Sequence, residues 1–357
     1  MRTIAEFEAV AREQLAPAYY DFFAGGAQDE ITLRDNEAAF GRLRLLPRVL
    51  CGSDKRDLSI ELLGTPSSMP IVVAPTAFHK LAHPDGELAT ARAAAGAGTI
   101  LIVSMAATTA VEEIAAAARE VTPDPALWFQ LYLQPDLEFS EAIVRRAEAA
   151  GVRAFVVTVD SPVLGRRERD HRNEFLTLPA GIAVENLRNL GVNRSAGGAS
   201  HVRELVLSSL SWDHIAWLRG KTRLPVLIKG ILHPEDARLA VRHGVAGIVV
   251  SNHGGRQLDT VPATIDVLPD IVAAVGGAVS IILDGGIRRG TDVVKALALG
   301  ATAVGVGRPV LWGLAASGRE GVTQVLELLR EDFDHALAMC GRARPRDLTP
   351  DQVLRSS

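Results

Sequence analysis

Gly247-Ile-Val-Val-Ser-Asn-His-Gly-Gly-Arg-Gln-Leu-Asp259 changes character in its middle. Gly247 to Val250 is a short apolar run suited to a strand buried on both faces, and Ser251 to Arg256 turns polar and glycine-rich, so the strand ends by delivering a loop. That loop carries His253, a side chain whose unperturbed pKa lies near neutrality, and Arg256, a rigid fork for carboxylate or phosphate. Gly254 and Gly255 between them would let a substrate approach the backbone closely. Taken alone, a histidine and an arginine three positions apart are as well explained by a solvated surface, and the surrounding pattern has to decide.

Working outward, the same beat of apolar run, polar or glycine break and helical spacing sets in at residue 71 and recurs eight times. Strands are predicted at Ile71–Ala74, Thr99–Val103, Leu127–Leu131, Ala154–Val159, Pro225–Lys229, Gly247–Ser251, Ser280–Asp284 and Ala301–Val306. Helices are predicted at Glu87–Ala95, Val111–Glu120, Glu141–Ala149, Pro234–His243, Asp266–Val275, Thr291–Leu299 and Val322–Met339. Doubly buried strands, each followed by a helix, are best satisfied by a closed (β/α)8 TIM barrel of the α/β class. An open doubly wound sheet would want a glycine-rich phosphate turn after its first strand. That turn here reads Pro75-Thr76-Ala77-Phe78-His79. The chain is therefore read as one domain over residues 1–357, with an N-terminal helical extension (1–70), a barrel (71–340) and a long lid loop after strand four (161–210). In the extension, residues 3–16 read as a helix closed by Pro17, and Asp21 to Gly26 as the glycine-capped end of a second.

Composition narrows the function. With 357 residues, 48% hydrophobic and 22% charged, the chain can bury a large core. A formal charge of −4 with dispersed basic residues gives no electrostatic reason to expect nucleic acid or an anionic membrane as partner. Cys51 and Cys340 match neither a metal-ligand spacing nor a disulfide framework, so no metal is expected. Glu6 stands where a signal peptide needs an apolar run, and a reducing cytoplasm is the expected compartment. Ala93 to Val111 is uncharged and about long enough to span a bilayer, but its glycines, Ser104 and threonines argue for a helix end followed by a buried strand.

In a barrel the C-terminal strand ends converge on one face, where active sites are built. Those ends present Pro75, Thr76 and Ala77; Ser104; Gln130 and Tyr132; Thr158 and Asp160; Lys229; Ser251, His253 and Arg256; Asp284, Gly285 and Gly286; and Gly305, Gly307 and Arg308. Core packing does not predict Gln, Thr, Lys and Asp at the ends of strands three, four, five and seven. After strands seven and eight, Asp284-Gly-Gly-Ile-Arg-Arg-Gly290 and Gly305-Val-Gly-Arg-Pro309 lie where barrels commonly seat a phosphate, on glycine amides and a helix N-terminus, with Arg288 and Arg308 adding charge. Lys229, on the barrel axis, could stabilise negative charge on a ring lying across the strand ends, with Gln130 and Thr158 bonding its edge. A flat heterocycle with a phosphate tail is FMN.

Pro75-Thr76-Ala77, Phe129-Gln130-Leu131-Tyr132, Thr158-Val159-Asp160-Ser161-Pro162, Leu164 to Glu168, Lys229-Gly230, Ser251 to Asp259 and Leu283 to Gly286 together resemble the FMN-dependent 2-hydroxy-acid oxidase and dehydrogenase family, over nearly the whole chain. The resemblance implies oxidation of an (S)-2-hydroxy acid to the 2-oxo acid, with oxygen as acceptor giving hydrogen peroxide, in a homo-oligomer that is a tetramer in the family. It makes His253 the base, Asp160 its charge partner, Arg256 the carboxylate clamp with Arg167 nearby at the lid base, Tyr132 a hydrogen-bond partner of the substrate, and Lys229 the stabiliser of reduced flavin. Two positions depart from the family. Phe22 stands where tyrosine is frequent and Met105 where tryptophan is frequent, a pair similar to that of 4-hydroxymandelate oxidase, which implies an aryl or bulky substrate. The same barrel leaves alternatives open: a dehydrogenase passing electrons to a quinone or a protein, or a non-redox FMN barrel such as a type 2 isopentenyl diphosphate isomerase. The latter would need a second phosphate site and no His–Arg pair. An inosine monophosphate dehydrogenase would need a strand-end cysteine, which neither Cys51 nor Cys340 supplies, and the intact set His253, Arg256, Lys229 and Asp160 argues against a barrel used only for binding.

Overall fold

The computed structural model describes residues 1–52, 55–175, 177–188 and 210–355. Eight parallel strands, Ile71–Val73, Leu101–Ser104, Leu127–Leu131, Phe155–Thr158, Val226–Ile231, Gly247–Val250, Ser280–Asp284 and Ala303–Val306, follow one another around a closed barrel, the eighth pairing with the first through Val304 and Ile71. This is the predicted (β/α)8 TIM barrel.

The barrel interior explains where the chemistry sits. Val72, Ile102, Trp128, Val156, Leu227, Val249, Ile282 and Ala303 form an inner core, one from each strand. Side chains on a strand alternate between faces, so the residue two positions farther along points inward as well. Those residues are Ala74, Ser104, Gln130, Thr158, Lys229, Ser251, Asp284 and Gly305. Register keeps them level: Ser104 pairs with Gln130, Thr158 with Lys229, and Asp284 with Gly305. One pleat thus separates an apolar plug from a polar floor. The opposite mouth is closed by the hairpin Ile60–Leu62 and Thr65–Ser67, whose Leu62 is fully buried in the inner core and whose Thr65 accepts from Trp128 Nε1 at 3.1 Å.

Helices Gly86–Ala97, Val111–Arg119, Leu137–Ala150, Pro234–Arg242, Thr264–Val275 and Gly290–Ala298 surround the sheet as predicted in kind, with ends shifted by a few residues. Four strand starts move inward, since Thr99, Ala154, Pro225 and Ala301 lie outside the strands. Helix Trp212–Lys221, which precedes the fifth strand, was not expected from the sequence; only Ile215 and Leu218 of it are buried, too few to mark an apolar stripe. The predicted helix Val322–Met339 is the second part of a span from Arg308 to Met339 that breaks at Ser317 and Gly318, whose backbone is non-helical; the first part, opening at Arg308, was not expected. Of the predicted lid, residues 176 and 189–209 lie outside the described residues, and the described part includes the short helix Glu168–Arg172.

The N-terminal extension supplies helices Ile4–Gln14, Pro17–Ala24 and Ile31–Gly41. The third has no capping side chain of its own, and Glu30 before it is left-handed. Asp259 caps it instead, accepting the N–H of Thr32 at 2.9 Å and of Ile31 at 3.2 Å. Asn36 and Asn252, both buried, exchange amide hydrogen bonds of 2.9 and 2.7 Å. The extension is therefore stapled across the strand-six loop. Among the described residues no helix is long and apolar enough to cross a membrane, and no cluster of His, Cys, Asp and Glu is arranged to hold a metal.

Candidate active site

Three successive residues of the strand-six loop are left-handed: His253 at φ 58°, Gly254 at 64° and Gly255 at 73°. A β-carbon on Gly255 would lie 2.7 Å from Leu33 N, so only glycine admits the extension this close. His253 holds the same conformation with a side chain, at a cost on the order of 1 kcal/mol or more, and its side chain lines the cleft.

The ring is oriented from behind. Asp160 Oδ1 lies 2.8 Å from His253 Nδ1 and also accepts from Ser161 Oγ at 2.9 Å. Gly230 makes room for this, since a β-carbon there would stand 2.5 Å from Asp160 Cβ. Burial lowers the His253 pKa; Asp160 opposes it, Lys229 adds to it, and the net direction is down. Burial pushes the Asp160 carboxyl up, but attraction and hydrogen bonding to His253, with Lys229 and Ser161, together outweigh it and the net direction is down. The pair therefore rests as neutral imidazole and carboxylate: Nδ1–H donates to Asp160, and Nε2 keeps a lone pair, towards which the Tyr132 hydroxyl donates at 3.5 Å. Burial, with help from Asp160, holds that phenol protonated, its pKa raised to about 12.

Beside the histidine stand two partly buried guanidiniums. Arg256 Nη1 donates to the carbonyls of Phe22 at 2.6 Å and Gly25 at 2.9 Å, both in the N-terminal extension. Arg167 meets Asp170 only at 3.8 Å. Burial pulls the Arg256 pKa well down and Arg167 and Arg308 add to it, so an anion placed between the two arginines would relieve both desolvation and repulsion. The Phe22 ring centre lies 5.0 Å from the Arg256 guanidinium carbon and 6.0 Å from that of Arg167. A ring face thus supports the pair where a hydroxyl would have donated.

These groups wall one end of a cleft of about 1240 Å³, counted to its open mouth, and the polar floor forms the other. Lys229 Nζ donates to Ser251 Oγ at 2.9 Å and lies 3.5 Å from Asp284 Oδ2. Burial pulls its pKa down, but Asp284 and Asp160 outweigh that and the ammonium is kept. Gln130 is fixed through acceptance from Ser104 Oγ at 3.3 Å and donation to Thr158 Oγ1 at 3.0 Å. Asp284 Oδ1 is buried with no hydrogen-bond partner. At the far end Gly285 and Gly286 are left-handed, and the helix beginning at Arg308 opens behind Gly307. Arg308 donates to the carbonyls of Phe23, Gly254 and Gly25, which leaves two of its five N–H groups uncommitted, while Arg288 is paired with Glu37 at 2.6 Å. This donor set fits FMN: an ammonium for a ring that becomes anionic, an unpartnered carboxylate oxygen for a hydroxyl, and a helix N-terminus with arginines for a phosphate.

Pro75, Thr76, Ala77, Ser104, Gln130, Thr158, Lys229, Asp284 to Gly286, Arg288, Gly307 and Arg308 line this cleft, as do Phe22, Tyr132, Arg167, His253 and Arg256. Asp160 and Ser251 stand one bond behind it. Met105 is a correction: it does not line the cleft and is fully buried. Ser104 points inward, so the next side chain turns out toward the helices, and Ala106 takes the wall position. Sequence reading passed over Phe78 and Leu164, which line the cleft, and Gln257, whose Oε1 accepts from Gly165 N at 2.8 Å and whose amide donates to Asp160 O at 3.2 Å. Gln257 lay inside the quoted motif, but nothing in its spacing distinguishes a brace from a solvated residue.

Comparison with known proteins agrees with this geometry. The profile of the FMN-dependent dehydrogenase family matches residues 11–355. Glycolate oxidase 1 of Zea mays is 47% identical over 359 residues, covering 99% of this chain and 96% of that one. 2-Hydroxyacid oxidase 1 of Mus musculus is 50% identical, covering 95% and 92%. A crystal structure of mandelate oxidase with (S)-2-phenylpropionate superposes with a TM-score of 0.89 at 42% identity, covering 99% of this chain and 98% of that one. The chain belongs to the FMN-dependent dehydrogenase family, as a 2-hydroxy-acid oxidase that works with FMN.

Proposed function

We propose that the substrate is an (S)-2-hydroxy acid carrying an aryl or similarly bulky group, oxidised to the 2-oxo acid, and that molecular oxygen takes the electrons back as hydrogen peroxide. Arg256 and Arg167 bind the carboxylate, Tyr132 hydrogen-bonds the substrate beside it, and His253 Nε2 accepts the proton of the 2-hydroxyl while Asp160 balances the imidazolium. When bound, FMN supplies the two-electron acceptor, and Lys229 offsets the negative charge that arrives with the electrons. Oxygen as acceptor is supported by the relatives, which are named as oxidases.

The observation that carries the aryl reading is the aromatic wall next to the arginines. Phe22 stacks on Phe78 with ring centres 5.5 Å apart, both line the cleft, and the small Ala106 lines it too. Burying about 100 Å² of a phenyl group at roughly 25 cal/mol per Å² contributes about 2.5 kcal/mol, which glycolate cannot collect. The solved mandelate oxidase structures support the same choice. Anaerobic stopped-flow reduction followed by mixing with oxygen tests both parts. (S)-Mandelate should exceed glycolate and L-lactate by at least about tenfold in kcat/KM, with one hydrogen peroxide formed per turnover. Equal or better use of glycolate refutes the aryl reading, and reoxidation by a quinone but not by oxygen refutes the oxidase half.

The same proposal includes a cytoplasmic homo-oligomer. Exposed Leu46, Val49, Leu50, Met339 and Leu354 lie on adjoining segments, tied by the bonds Leu46 N to Gln352 O and Arg48 N to Cys340 O, and such an apolar patch supports self-association. Light scattering on the eluted holoenzyme reads the mass, and a monomer would refute it.

A further inference from the structure

His79 is 3% exposed and takes no part in the chemistry described so far. It lies in the turn after the first barrel strand, with a hydroxyl on each ring nitrogen: Thr76 Oγ1 at 2.6 Å from Nε2 and Thr90 Oγ1 at 3.0 Å from Nδ1. Its backbone N–H donates to Glu87 Oε1 at 3.1 Å. The buried Glu87 carboxylate also collects the Thr108 N–H at 2.7 Å and the hydroxyls of Thr108 and Thr109. The turn, the helix Gly86–Ala97 and the loop after the second strand are thereby locked into one block, with the imidazole held between two threonines.

Burial lowers the His79 pKa and outweighs the attraction of Glu87, so the ring is neutral. A neutral imidazole donates from one nitrogen and accepts at the other. With the proton on Nε2, that nitrogen donates to Thr76 Oγ1, Thr90 donates to Nδ1, and the Thr76 hydroxyl proton is left for an acceptor on its other side. Thr76 lines the FMN cleft and His79 does not.

We propose that His79 carries its proton on Nε2 and is a positioning residue for the cofactor, holding Thr76 as a hydrogen-bond donor into the FMN cleft and so favouring oxidised FMN over reduced FMN. Reduction to the anionic ring turns one nitrogen, N5, from an acceptor into an N–H donor, so a hydroxyl held as a donor towards that nitrogen suits the oxidised ring better. The isosteres separate this from packing. Gln can set an amide nitrogen where Nε2 stands and keep donating to Thr76, whereas Asn reaches only the Nδ1 position.

Purified holoenzyme is diluted and the return of free-FMN fluorescence gives the dissociation constant, while equilibration with a redox dye gives the midpoint potential. His79→Asn is expected to weaken oxidised FMN roughly five- to tenfold and reduced FMN less. The potential then rises by up to about 30 mV, the equivalent of a tenfold difference for a two-electron couple. His79→Gln should stay within about twofold of the parent. Thr76→Val should reproduce the His79→Asn shift, and the double variant should add nothing to it. Equal shifts in His79→Asn and His79→Gln, or a potential unmoved in His79→Asn, would overturn the proposal. If His79→Asn does not fold, Thr76→Val decides alone: an unchanged dissociation constant and potential overturn it.

Discussion

Replacing Asp160 with Asn tests the His253 pair without changing its shape. The carboxylate accepts from His253 Nδ1 at 2.8 Å in a buried setting, and its other oxygen has no partner. An Asn has two ways to sit there. With its oxygen toward Nδ1 it keeps the bond but loses the charge, and its amide nitrogen takes the unpartnered position with no acceptor. With its nitrogen toward Nδ1 it forces the proton to Nε2 and removes the base. Either way a hydrogen bond to a charged group is lost, worth about 1.5–3 kcal/mol, or roughly ten- to 150-fold in the rate of flavin reduction. The pH profile supplies a sign. His253 must be neutral to act, so kcat/KM falls on the acid side as it protonates. Asp160 is an upward influence on its pKa, whereas burial and Lys229 pull it down. Without the carboxylate the acid limb therefore moves to lower pH while the plateau drops. Anaerobic stopped-flow at the flavin absorbance, repeated across pH, reads both. A plateau within about threefold of wild type, or an acid limb moved to higher pH, would refute the assignment.

Two further outcomes follow from the same geometry. Arg256→Met removes one of the paired cations and takes the donor from the carbonyl of Phe22, while that of Gly25 keeps Arg308, so steady-state kinetics should show a raised KM and a lowered kcat, together about a hundredfold or more in kcat/KM, with FMN content unchanged; an unaltered KM would dismiss the clamp. Gly255→Ala sets a β-carbon 2.7 Å from Leu33 N at a φ of 73°, and thermal melts should show a loss of about 1–3 kcal/mol, whereas an unshifted melting temperature would mean that the extension does not press on this loop.

The barrel was legible because each strand is buried on both faces, which leaves an apolar run that periodicity can find, and because strand ends deliver side chains to one face. Gln130, Thr158, Lys229 and Asp284 are anomalies by that rule, each one pleat beyond an inner-core residue. What could not be read was whatever depends on contacts distant in sequence. Asn36, Asp259 and Gln257 look like ordinary polar residues until the extension is folded over the strand-six loop. The helix Trp212–Lys221 buries too little to show a period. Met105 was misplaced because resemblance names a position and not the direction of its side chain, which the alternation after Ser104 sends outward.

The carbonyls that hold the two arginines have a consequence for how the protein is made. Arg308 reaches back 283 positions to Gly25 and 285 to Phe23, and Thr32 waits for Asp259 across 227. On a ribosome adding about 5–20 residues each second, the extension emerges on the order of 15–60 seconds before the last of these partners. For that interval its apolar helix faces have no barrel to cover, so a nascent chain halted after the fourth strand already carries Tyr132 and Asp160 but has no place to bind a carboxylate. The anion site belongs to the last stage of translation.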